Sequence, residues 1–298
     1  MKQKENKSFR SGNAKIGLPI NYRHLFLFAY RTNFLYILKI SLILSLFAIP
    51  FIIAVVFKGV IESSIAMDQT IEQDIINARI MSFRGLYGFV VSFTFIIFSI
   101  GFSGAISSMI RFLTNEGIQF KRDFLLGIKK NGIQIVLITA FYSIILSFLN
   151  FIINLPSLLN WYPILLVVYT VVSVIMIGMY FINIEMVCIY QVSFFRSVKN
   201  SLLMFISRLP YALLLLITSI APLVVCYMID LNIVQYIAWL VYICIGFGHC
   251  VLVISLFSLY IFDETVNKKQ FPEIYRKGLF NGEDVSFVDE GFKDGSEG

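Results

Sequence analysis

The stretch FKRDFLLGIKKNGIQIVLITAF, residues 120–141, decides the fold. Lys121, Arg122, Lys129 and Lys130 bracket an apolar patch, and after Asn131 the chain turns almost wholly apolar. A short basic, amphipathic segment set directly against a hydrophobic run is the grammar of a chain entering a membrane. The rest of the sequence repeats it.

The 298 residues are 58% hydrophobic and 14% charged. A soluble domain carries about 25% charged residues, so this excess of Leu, Ile, Val and Phe must face lipid. Six apolar runs have spanning length: 34–57, 86–110, 133–155, 163–190, 210–229 and 234–261. About 20 residues of helix cross the roughly 30 Å hydrocarbon layer. Barrel strands would be about half as long and would alternate, and these runs do not. The expected fold is therefore all-α, a polytopic membrane protein of six transmembrane helices. Residues 1–20 read as a disordered N-terminus, 21–262 as the membrane domain, and 263–298 as an acidic, flexible tail. The first run is too long for a cleaved signal and reads as a retained anchor.

Basic residues alternate between connections. Residues 1–33 carry seven basic side chains and one acidic, whereas 58–85 carries three basic and four acidic. The 111–132 segment carries five basic and two acidic, and 191–209 carries Arg196, Lys199 and Arg208 with no acid. Lys and Arg stay on the cytoplasmic side, so both termini are expected there, in the plasma membrane, with 58–85 as the one sizeable external loop. The net charge of +6 is then an orientation signal. A nucleic-acid partner is not indicated, because the charges hug the membrane ends. The four cysteines fall in or at the ends of apolar runs, and no CxxC pair suggests a metal or redox site.

FLFAYRTN (26–33), FLLGIKKN (124–131) and FFRSVKN (194–200) share a pattern. A Phe is followed by a small residue (Ala29, Gly127, Ser197), a basic residue (Arg31, Lys129, Lys199) and an Asn (Asn33, Asn131, Asn200). Each precedes an outbound helix. The reading is three helical hairpins with cytoplasmic interfacial lead-in segments, each Asn capping or ending its segment. Arg31, Lys129, Lys130, Arg196 and Lys199 would form a basic collar against anionic lipid or an acidic partner. The alternative is that they only set orientation.

Ionisable and polar groups inside spans are the candidate sites. Ser143, Ser147, Asn150 and Asn154 follow i, i+4, i+7, i+11 and share one face of the third helix. That face serves either interhelical hydrogen bonding or a polar path. His249 lies well inside the sixth run. Lys39 and Glu185 are expected at similar depth, as a pair. Gly101-Phe102-Ser103-Gly104 matches the Gly-x-Ser-Gly of rhomboid-type intramembrane proteases, with Ser103 and His249 as the pair. The motif falls on the second helix instead of the fourth, and the further His and Asn have no counterpart. No P-loop, HExxH, Gly-x-Ser-x-Gly or dinucleotide fingerprint occurs. No cofactor is indicated.

SGAISSMIRFLTNEGIQFKRDFLLGIKKNGIQ (103–134) resembles the YesL-like integral membrane family of Gram-positive bacteria. The likeness rests on several features. An Asn-led first helix runs from Asn33 to Pro50, and a Gly/Ala-rich second helix runs from Gly104-Ala105 into Arg111. A loop follows with Asp123-Phe124, Gly127, Lys129 and Asn131, and FPEIYRKGLF (271–280) closes the match. The resemblance implies a polytopic plasma-membrane protein near carbohydrate uptake or sensing, and no catalytic residues. Two functional classes follow. One is a non-enzymatic accessory or regulatory component with a membrane transport or signalling partner. The other is a small-molecule transporter using the polar face of the third helix.

Overall fold

The computed structural model describes residues 19–67, 72–116, 119–228 and 232–279. Among these there are helices and turns and no strand. The helices are α1 (Tyr22–Ala66), α2 (Gln73–Leu113), α3 (Phe120–Ile153), α4 (Tyr162–Tyr190), α5 (Phe194–Ser207), α6 (Leu209–Met228), α7 (Asn232–Val241) and α8 (Phe247–Phe262). A π-turn, Tyr242–Gly246, joins α7 to α8, so the sixth span is one continuous rod. Six helices are long and apolar enough to cross a membrane. The protein is a multi-pass membrane protein of the all-α class.

The distribution of side chains fits lipid as the outer solvent. Leu46, Val167, Ile217 and Leu240 are each more than 60% exposed. Ser41, Ser99, Ser103, Asn183, Glu185, Ser255 and Ser258 are fully buried. In water such polar groups would sit outside; here Ser41, Asn183 and the Glu185–Ser255 pair bond across helices, while Ser99 and Ser103 bond carbonyls of their own helix. The apolar centre is filled by Ile37, Ile40 and Leu44 of α1, Ile106 and Met109 of α2, Ile135 and Ile138 of α3, and Val251 and Leu252 of α8.

Two expectations about the connections need correction. The 58–85 segment is not a long loop. Helix α1 continues to Ala66 and α2 begins at Gln73. The 45 residues of α1 amount to roughly 68 Å of helix, well beyond the hydrocarbon thickness. Glu62 receives Arg84 of α2 at 3.0 Å, tying the two rods together at that end, and Lys58 of its own helix at 3.8 Å. We call the opposite end, where α2 turns into α3, the basic end.

The tail also differs. Residues 280–298 and 1–18 lie outside the described residues, but 263–279 are built into the bundle. The Asp263 carboxylate accepts Tyr22 Oη–H at 2.6 Å, the Arg276 backbone N–H at 2.9 Å and Asn267 Nδ2–H at 2.7 Å. Gly278, at φ 89°, seats the chain against Leu113; a Cβ there would overlap the Leu113 carbonyl oxygen. Only glycine offers both the positive φ and the clearance.

The three lead-in segments are not alike. Residues 26–33 form the first part of α1, which kinks at Asn33 (φ −136°, ψ 35°). Residues 124–131 run without a break into the third span, and Asn131 caps nothing. Only the third makes a separate helix, α5, which Arg208 (φ −128°) divides from α6. The shared pattern still has one structural meaning. Ala29, Gly127 and Ser197 are all buried, while Arg31, Lys129, Lys130, Arg196 and Lys199 are all exposed.

Candidate functional site at the basic end

The polar face of α3 lies against α2. Ser147 Oγ donates to the Gly88 carbonyl at 3.0 Å and shares a 2.5 Å hydrogen bond with Ser92 Oγ. Ser92 Oγ also lies 3.1 Å from the Ser143 carbonyl, while the Ser143 hydroxyl turns back to the Thr139 carbonyl. Asn150 Nδ2 donates to the Arg84 carbonyl at 3.0 Å, and Asn154 Nδ2 to the Asn150 carbonyl at 2.8 Å. Glycines let the two backbones approach. A Cβ on Gly104 would sit 2.8 Å from the Phe124 carbonyl oxygen, and one on Gly127 would sit 2.5 Å from Ser107 Cβ. The hydrogen-bond partners of the four residues are groups of α2 and of α3 itself.

His249 is elsewhere. Its Nδ1 shares a 2.7 Å hydrogen bond with Tyr30 Oη, and Phe26 packs edge-on against the ring. Ser103 Oγ donates to the Ile100 carbonyl of its own helix at 2.7 Å. Neither is hydrogen-bonded to the other. The Lys39–Glu185 pair is also not formed: Lys39 is exposed, and Glu185 is fully buried beside α8. Glu185 Oε1 accepts Ser255 Oγ–H at 2.5 Å, and Oε2 has no partner among the described residues.

The polar groups that remain accessible gather at the basic end. A pocket of about 260 Å³ opens there between the last turns of α2, the first turns of α3, the end of α4, α8 and the 271–279 segment. Arg111 Nη1 donates to Asp123 Oδ1 at 2.7 Å, and Asp123 Oδ2 takes the Gln119 N–H at 3.0 Å. Asp123 is 4% exposed, so this pairing compensates a buried charge. Lys277 reaches Glu116 Oε1 at 2.7 Å from the returning tail. Asn131 Nδ2 donates to Ser107 Oγ at 3.1 Å, and Cys188 Sγ lies 3.6 Å from that hydroxyl. Lys130 lines the pocket and makes no ion pair among the described residues.

Below the pocket the same helices carry Glu185, one turn from Cys188 on α4, and then a second cavity. That cavity, about 240 Å³, is lined by Phe95, Phe98, Phe102, Phe181, Tyr242 and Phe247, among others. Sequence reasoning placed Asn131 and Lys130 at this end but did not join them to Arg111, Ser107 or Lys277. The repeated Gly127-x-Lys129-Lys130-Asn131 was one available signal, and FPEIYRKGLF, which holds Lys277, entered only through the family resemblance.

Among the described residues no three His, Cys, Asp or Glu side chains are grouped to hold a metal. No protein-family model, curated protein or solved structure matches this chain.

Proposed function

We propose that this protein is a non-enzymatic accessory or regulatory component of a solute-uptake system, working through its basic end. Both termini lie in the cytoplasm of the plasma membrane in this reading, because the alternating Lys and Arg content favours that orientation. The resemblance to the YesL-like family makes a carbohydrate the solute class and a transport or signalling protein the partner. The observation that carries the reading is the engagement of Ser147, Asn150 and Asn154 with α2 and α3 groups. A face held by helix–helix hydrogen bonds is a scaffold seam, and the accessible polar groups are displaced to the pocket at the basic end.

A second reading rests on a different observation. Phe181 and Cys188, about one turn to either side of Glu185 on α4, line separate cavities. Carboxyls buried within spans mark substrate paths or proton relays in pumps and transporters. Flux separates the two. The full chain in phosphatidylcholine liposomes, with an imposed pH gradient, is expected to move neither protons nor sugars above protein-free vesicles. Uptake that disappears in Glu185→Gln would replace the accessory reading with transport.

A further inference from the structure

We propose that the pocket at the basic end binds a phosphate group, carried either by a lipid headgroup or by a soluble phosphate. This goes beyond the accessory role and does not depend on it.

The argument begins with charge and hydrogen-bond capacity. Three cations, Arg111, Lys130 and Lys277, line the pocket with two carboxylates, Asp123 and Glu116. Both oxygens of Asp123 are already taken, by Arg111 and by the Gln119 N–H. Arg111 gives one nitrogen to that carboxylate, leaving most of its five N–H donors available. Lys277 places its ammonium on Glu116, and an ammonium has three N–H donors. Lys130 brings a whole ammonium, and Asn131 has a second amide hydrogen beyond the one on Ser107. The lining is net positive, three cations against two carboxylates, and an anion with several oxygens would take the donors that remain.

Phosphate fits these donors better than a single carboxylate does. Guanidinium and ammonium groups reach this pocket from three elements, α2, α3 and the tail, and these are the groups that bind phosphate oxygens. The setting fits too. Apolar side chains, Ile110, Leu126, Ile189 and Leu259, share the lining with the charged groups. Basic pockets between spanning helices recognise phospholipid headgroups by this combination. About 260 Å³ admits the phosphate and the first atoms attached to it.

Adjacent lysines supply the control. Lys129 and Lys130 are both exposed on α3, yet Lys130 lines the pocket and Lys129 does not. The test uses the full chain in phosphatidylcholine nanodiscs and reads its melting temperature. One arm titrates inorganic phosphate, and the other replaces part of the lipid with phosphatidylglycerol. Protection by phosphatidylglycerol alone assigns the site to a headgroup; protection by inorganic phosphate assigns it to a soluble ligand. Either supports the proposal if Lys130→Gln weakens apparent affinity about five-fold more than Lys129→Gln does, the fold-change equivalent of about 1 kcal/mol per basic group. Equal losses in the two variants would reduce the effect to general surface charge and overturn the site. Absence of protection in both arms overturns it as well. So does protection that emerges only after residues 280–298 are deleted, since the chain's own carboxylates would then be the occupant.

Discussion

Gly88 and Asn150 meet across the α2–α3 seam so closely that a Cβ on Gly88 would lie 2.6 Å from the Asn150 amide nitrogen. That nitrogen is the one that holds the Arg84 carbonyl. The contact joins a residue whose missing side chain gives clearance to a polar residue whose side chain gives cohesion. Without water to compete, this is how helices associate in lipid.

Three glycines therefore predict three different outcomes. In Gly88→Ala the new methyl displaces the flexible end of Asn150, and the cost is close to one hydrogen bond, about 1 kcal/mol. In Gly248→Ala the methyl meets the Ile37 carbonyl oxygen, which belongs to backbone and cannot step aside. The cost there is expected at the upper part of the overpacking range, about 3 kcal/mol. Gly59 has nothing within 4 Å of its Cβ position, so Gly59→Ala is expected to be neutral or mildly stabilising. Melting temperatures in one detergent should rank Gly248→Ala lowest, then Gly88→Ala, then Gly59→Ala. A Gly248→Ala protein as stable as the parent would show that α1 and α8 do not approach as described.

Asp263 gives the second prediction. Its carboxylate gathers Tyr22, Asn267 and the Arg276 backbone, so it clasps the start of α1 and the returning tail to the end of α8. Asp263→Ala removes the acceptor for all three. The six spans should survive, since none relies on this group for its hydrophobic burial. The 271–279 segment should come loose, and with it the Lys277–Glu116 pair. Limited proteolysis is expected to cut the variant after Arg276 or Lys277 at least ten times faster than the parent. Equal cutting rates would mean that Gly278 and Leu279 alone hold the segment.

The six spans were legible because hydrophobic length is a one-dimensional property. The inward turn of Ser143, Ser147, Asn150 and Asn154 was legible for a related reason, since helical spacing fixes a common face. What that face meets was not. Its main partners are the carbonyls of Gly88 and Arg84, and a backbone carbonyl has no letter. Lys39 and Glu185 failed for want of azimuth: sequence gives depth along a helix, but not which neighbour stands beside it, and α8 places Ser255 on Glu185. The length of α1 was hidden because Lys58 and Glu62 resemble a loop in composition, whereas in space they flank the Arg84 contact of a projecting rod. The pocket draws on α2, α3, α4, α8 and the tail, and nothing in any one of those stretches announces the other four.

Orientation supplies the third prediction. Met67, 76% exposed, stands at the far end of the α1–α2 hairpin, and Lys121 and Lys269 are exposed at the basic end. Single cysteines at these three positions, in a background lacking the four native ones, are expected to divide by side. A membrane-impermeant maleimide applied to whole cells should label Met67→Cys and reach Lys121→Cys and Lys269→Cys only after lysis. Labelling of Lys269→Cys on intact cells would invert the proposed orientation.

The last prediction concerns the exposed cations. Arg31, Lys129, Lys130, Arg196 and Lys199 all point outward, each near a buried Ala29, Gly127 or Ser197. Helix α5 strengthens the case for an interfacial function. It exposes Phe195, 84% accessible, with Leu203 and Ile206, alongside Arg196 and Lys199. A helix with exposed Phe, Leu and Ile interleaved with basic groups lies in the headgroup boundary. Each Lys or Arg near an anionic leaflet contributes about 1 kcal/mol, and salt screens it. Replacing Lys129, Lys130 and Lys199 by Gln should therefore leave insertion and melting temperature unchanged in neutral lipid, because none of the three makes an ion pair among the described residues. In vesicles rich in phosphatidylglycerol the parent should gain stability over its value in phosphatidylcholine, and the triple variant should lose most of that gain. The difference should shrink between low salt and 0.5 M salt. A triple variant that matches the parent in both lipids, yet inserts in mixed orientations, would show that these lysines set topology and have no collar function.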